Sequence, residues 1–120
     1  RVKWIPYDKV FLTQAANENK PVMLDFYADW CPPWKELDEK VFTAPEVVKL
    51  SKNFQNIRVD LTKRHPEQDL LLKRYQVRGV PTVLFFNGKG AEEKGLRIES
   101  YVDKGEILKT MRQMIPPGSK

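Results

Sequence analysis

One cysteine, one histidine and no apolar run long enough for a membrane helix are the scarcities of this 120-residue chain. The lone cysteine, Cys31, excludes an intramolecular disulfide and any cysteine-rich metal site. With His65 as the single histidine, a structural zinc site of the usual four-ligand kind cannot be assembled. No stretch approaches the roughly 18 apolar residues that cross a bilayer as a helix. No secretory leader is legible and the first residue is Arg1. The chain therefore reads as a mature or excised piece from which a targeting segment or membrane anchor could have been removed. Internal repeats and low-complexity tracts are also missing.

What is present is the composition of a globular protein, 41% hydrophobic and 11% aromatic, in a length that suits a single domain over residues 1–120. The formal charge of +5 raises the question of an anionic partner. Its densest positive region is Lys63-Arg64-His65 with Lys73, Arg74 and Arg78. Glu67 and Asp69 interleave there and no nucleic-acid motif accompanies it, so a solvated basic face is the better reading.

In chain order, Trp4 and Ile5 belong to a lead-in that docks on the body. Asp8 is placed to cap a helix reaching about Asn17, with Val10, Phe11 and Ala15 inward. Val22–Tyr27 reads as a buried parallel strand, apolar throughout except for Asp25. Trp34, Leu37 and Val41 give a helix from about Pro33 to Phe42 its inward face. Thr43 and Glu46 have capping-box spacing before a short helix with Val47, Val48 and Leu50. Phe54–Leu61 reads as a second strand, and Pro66 opens a helix carrying Leu70, Leu71, Leu72 and Tyr75. Thr82–Phe86 is a third strand. The turn signal Asn87-Gly88-Lys89-Gly90 leads to an antiparallel partner near Leu96–Tyr101. A last helix opens at Asp103 and Glu106, lines up Ile107, Leu108, Met111, Met114 and Ile115, and stops before Pro116-Pro117-Gly118. Strands alternating with helices, then a hairpin and a helix, predict an α/β fold with helices on both faces of a central mixed sheet.

Cys31 stands where the chain turns from strand to helix. A helix N-terminus favours thiolate over thiol there. Pro32 and Pro33 have no N–H to offer the sulfur, so the first donors are Trp34 and Lys35 and the activation is expected to be modest. An ionised Asp25 nearby would oppose it.

The run Leu24-Asp25-Phe26-Tyr27-Ala28-Asp29-Trp30-Cys31, followed by Lys35 and, about fifty residues after the cysteine, by Gly79-Val80-Pro81-Thr82, resembles the thioredoxin superfamily. Tyr27 to Cys31, the Lys35-Glu36 pair and the extra helix over Thr43–Leu50 are similar to the C-terminal periplasmic domain of the disulfide reductase DsbD. The resemblance implies a thioredoxin fold with an N-terminal helical extension, thiol–disulfide exchange, and no cofactor. It implies an exposed attacking cysteine at Cys31 with Trp30 beside it, and a buried acid at Asp25 that helps to move protons. Val80 and a cis Pro81 would face the cysteine and bind an extended substrate, and Asp38 would be a second acid near the site. The implied setting is periplasmic or otherwise extracytoplasmic, within a larger membrane-anchored protein. Implied partners are protein thiols or disulfides, a membrane-embedded redox domain, or glutathione, engaged by a monomer without metal or nucleic acid.

Trp34 departs from the pattern, because the family's resolving cysteine belongs there. The first thiolate can still attack a disulfide, but no second thiol follows to break the mixed disulfide. Enzymatic turnover by the dithiol route is therefore not expected. A rival reading is a redox-inactive module that holds a peptide or partner in a groove between Trp30, Pro81 and Trp34. Each residue also has a plainer role: Cys31 as an inert buried thiol, Trp34 as packing, Asp25 as a locally bonded acid, Pro81 as a turn residue, and Asp29 and Asp38 as surface charges.

Overall fold

The apolar run before the cysteine occupies the interior of the sheet in the computed structural model, which describes residues 1–115. Four strands, β1 (Ile5–Pro6), β2 (Val22–Tyr27), β3 (Gln55–Asp60) and β4 (Thr82–Phe86), lie in the order β1-β3-β2-β4. β3 is parallel to both β1 and β2, and β4 is antiparallel to β2. Around them are α1 (Lys9–Asn17), α2 (Pro32–Glu36), α3 (Pro45–Ser51), α4 (Pro66–Arg74) and α5 (Lys104–Met114).

Strand alternation divides the core into two layers. Met23, Val83 and Phe85 point to one side, where Leu37, Val41, Val47, Ile107 and Met111 cover them. Val22, Leu24, Phe26, Leu84 and Phe86 point to the other, against Phe11, Leu12 and Ala15 of α1 and Leu71, Leu72 and Tyr75 from α4 and its end. Met23, Leu24 and Phe26 are fully buried, and each such side chain contributes about 1.5–3 kcal/mol through removal from water. Asp25 falls on the Met23 side by the same alternation. Its register partner on β3 is Arg58.

Several local expectations are corrected. The helix after the cysteine is not continuous: α2 ends at Glu36 and Leu37–Val41 is a π-helical segment, closed by Phe42 N–H to Leu37 C=O at 2.9 Å. Trp34, Leu37 and Val41 are still all buried. The capping box does not form. The Thr43 hydroxyl turns back to donate to the Glu39 carbonyl, Ala44 caps α3 through its backbone, and Glu46 pairs with Lys104. Val10 is exposed, because Phe11, Leu12 and Ala15 form the inward side of α1. No regular strand forms near Leu96–Tyr101. A 3₁₀ turn at Lys94–Leu96 interrupts the return, leaving isolated bridges from Ile98 to Val83 and from Glu92 to Phe86. Arg97 leaves the would-be ladder to bind Glu92 and the carbonyls of Tyr75 and Gln76.

Other expectations match. Asp8 accepts from Val10 N–H and Asp103 from Glu106 N–H, capping α1 and α5. Asn87 closes its turn by accepting from Gly90 N–H at 2.9 Å. The apolar stripe of the last helix is buried from Ile107 to Ile115. The expected stop at Pro116-Pro117-Gly118 lies outside the described residues.

Candidate functional site

Cys31 caps α2 with extended backbone, φ −90° and ψ 111°, and its side chain makes no capping bond. Pro32 and Pro33 follow in the first turn, where a missing N–H costs nothing because those groups are unpaired in any helix. The Cys31 carbonyl accepts from Lys35 N–H at 3.0 Å, which closes the turn. The sulfur lies against the loop before β4: Sγ donates to the Val80 carbonyl at 3.5 Å, and the Val80–Pro81 peptide bond is cis. Only the thiol form can make that bond.

The resemblance implied an exposed cysteine, and here the structure differs. Cys31 is 4% exposed, in a small cluster with Ala28 and Trp34 that Tyr27 and Val80 pack against. Trp30, by contrast, is 62% exposed. It is held at the rim by the loop after β3: its indole N–H donates to the Thr62 carbonyl at 3.3 Å, and Asp29 N–H donates to Thr62 Oγ1 at 3.0 Å.

Beneath this turn a charge cluster runs from buried Asp25 through half-buried Arg58 and Asp38 to exposed Arg1. The Arg58 guanidinium donates to Asp25 Oδ2 at 2.9 Å and to Asp38 Oδ1 at 3.0 Å, and Arg1 binds the other oxygen of Asp38. Three rings surround the same guanidinium, Trp4 at 4.5 Å, Tyr27 at 4.7 Å and Trp34 at 5.3 Å from their centroids. Asp25 is fully buried. Burial raises its pKa from 3.8 to about 6, against the opposing pull of Arg58. Burial and the nearby Asp60 also raise the Tyr27 phenol.

Trp34 lies on Tyr27, ring centroids 4.6 Å apart and 29° from parallel, at the position where a second cysteine would stand in a dithiol protein. The structure thus brings together Cys31, Asp25, Trp34, Val80, Pro81 and, through Arg58, Asp38. Lys35 is exposed, and its side chain makes no ion pair or hydrogen bond among the described residues. Sequence reasoning missed Arg58, Trp4 and Thr62. The signal for Arg58 was available: a cation between Ile57 and Val59, on the face of β3 opposite its apolar residues.

Residues 9–115 match the family model described as a thioredoxin-like domain, so the chain belongs to the thioredoxin-like family. It is similar to the thiol:disulfide interchange protein DsbD of Klebsiella pneumoniae, 43% identical over 98 residues, covering 82% of this chain and 16% of the relative. The DsbD of Yersinia pestis is 35% identical over 108 residues, covering 90% of this chain and 18% of the relative. The chain thus spans about a sixth of the length of these relatives. Among solved structures, the C-terminal domain of Neisseria meningitidis DsbD in the oxidised form superposes with a TM-score of 0.78 at 30% identity. That match covers 89% of this chain and 92% of that domain. A thioredoxin from Thermus thermophilus reaches the same TM-score at 29% identity, over 98% of this chain and 90% of that one.

Proposed function

We propose that this chain performs the mixed-disulfide half of thiol–disulfide exchange. The Cys31 thiolate attacks a disulfide R–S–S–R′, forming Cys31–S–S–R and releasing R′–S⁻. Release of R then requires an external thiolate, which attacks the mixed disulfide and restores the Cys31 thiolate. The observation that carries the reading is the placement of the lone cysteine: at the strand–helix turn, against the carbonyl before a cis proline, with buried Trp34 in place of a second thiol. Cys31 is the nucleophile in this reading, and Trp30, Val80 and Pro81 hold the partner chain. Asp25 is the buried acid beneath the turn, Asp38 a half-buried acid joined to it through Arg58, and Lys35 a solvated charge near it. The partners are protein thiols or disulfides, a redox domain of the same or another membrane protein, or glutathione. The setting is extracytoplasmic, with the chain forming a single domain of a longer protein, as its one-sixth share of the DsbD relatives suggests.

The 4% exposure of Cys31 beside the 62% exposure of Trp30 favours a second reading, a redox-inactive module that binds an extended partner at the same rim. Trp34→Cys separates the two. Under the first reading it restores catalytic reduction of a model protein disulfide in the presence of a reducing thiol, and adding Cys31→Ser abolishes it. Absence of turnover in a folded Trp34→Cys variant would support the binding module instead.

A further inference from the structure

Among the described residues the Trp4 indole N–H, on the ring nearest Arg58, has no hydrogen-bond partner, and beneath the cysteine turn neither Oδ1 of Asp25 nor the indole N–H of Trp34 has one. The Asp25 and Trp34 side chains are more than nine-tenths buried. Both lie at Arg58, whose guanidinium donates to Asp25 Oδ2 at 2.9 Å and sits 5.3 Å from the centre of the Trp34 ring, and the indole joins Arg58 in holding the Asp25 pKa down against burial. A thiol at position 34 would be a donor that can also lose its proton. An indole N–H only donates. The same ring belongs to the cluster around Cys31 and to the aromatic wall around Arg58.

We propose that Trp34 is a positioning residue for Asp25, its indole N–H holding Oδ1 of the ionised carboxylate and letting go on protonation. The ionisation of Asp25 thereby sets how the turn that carries Cys31 packs. The bearing of this on exchange rests on the function proposed above; the Trp34–Asp25 contact does not. The other groups around the carboxyl are Arg58 on β3, Asp38 on the π-helical segment with its partner Arg1, and Tyr27 at the end of β2 beside Asp60. Arg58 occupies Oδ2, and Oδ1 has no hydrogen-bond partner among the described residues.

The test is a pH titration of the three tryptophan indole N–H resonances of the full chain, assigned by Trp4→Phe, Trp30→Phe and Trp34→Phe. The Trp34 resonance should shift with a midpoint near 6, the value to which burial raises Asp25. The shift should persist in Cys31→Ser and vanish in Asp25→Asn, while Trp30, bound to the Thr62 carbonyl, stays flat. A flat Trp34 resonance, or one that still titrates in Asp25→Asn, overturns the proposal and needs only the wild type and one isosteric variant. Trp34→Phe keeps an aromatic side chain, smaller than the indole, and drops the donor. It should raise the carboxyl-carbon midpoint of Asp25 and displace the matching inflection in the pH profile of Cys31 alkylation. An unchanged Asp25 midpoint would leave Trp34 a packing residue only. Failure of mixed-disulfide formation with an intact Trp34 titration would instead count against the exchange reading alone.

Discussion

Replacing Asp25 with asparagine should stabilise this protein at neutral pH and do nothing at pH 4. The carboxyl is fully buried, and its pKa is raised from 3.8 to about 6, chiefly by desolvation, with Arg58 offsetting part of that penalty. A folded state that binds the proton more tightly than the unfolded one loses stability as pH rises through the window between these values, from about 4 to about 6. Above that window the loss is complete and constant. At about 1.4 kcal/mol per unit, the difference comes to about 3 kcal/mol. Asparagine keeps the shape of the protonated acid and carries no charge to desolvate. Asp25→Asn should therefore be about 3 kcal/mol more stable at pH 7.5, a rise in Tm of ~10–15 °C, and equal to the wild type near pH 4. Urea unfolding of both proteins at pH 4, 5, 6 and 7.5 reads the effect directly. A loss of stability at pH 7.5 would refute the reasoning, because the Arg58 pair would then outweigh desolvation. The same gain at every pH would refute it too, since the gain could not come from the charge.

Other expectations follow from the same geometry. Arg58→Met leaves Asp25 and Asp38 without their shared cation and should cost about 3–5 kcal/mol at pH 7.5 by urea unfolding, less at pH 5 where Asp25 takes up a proton. Gly88→Ala should lower stability by about 1–3 kcal/mol, read by thermal unfolding, because the new Cβ would lie 2.6 Å from Asn19 Oδ1 and 2.9 Å from the Asn19 carbonyl oxygen. The side-chain amide could swing aside, but the backbone oxygen has less room to give.

Much of the architecture was legible because it depends on period alone. The apolar run Val22–Tyr27 is long enough only for a strand buried on both faces, and the stripe Ile107–Ile115 repeats with helical spacing; the stripe and the run as far as Phe26 are buried as expected. What period cannot decide was misread. Leu37 and Val41 are both buried in the π-helical segment, as they would be on one face of an α-helix, so the change of winding left no mark on the pattern. The alternation near Leu96–Tyr101 looks like a strand, yet Arg97 finds better partners in Glu92 and two carbonyls than a ladder would give it. Asp25 was legible as a buried acid and Arg58 as a cation opposite the apolar face of β3, but their pairing was not, because it requires the register between β2 and β3. The burial of Cys31 likewise depends on Val80, 49 residues away in sequence and brought to the sulfur by the fold.

The most direct test of the central claim is intact-mass analysis of the protein incubated with oxidised glutathione, before and after addition of an external thiol. A single glutathione adduct on Cys31, stable on standing, reversed by the added thiol and absent from Cys31→Ser, is the result expected of a nucleophile without a resolving partner. No adduct on the folded protein, with ready modification once it is unfolded, would contradict it and leave the exposed Trp30 rim as a surface for binding alone.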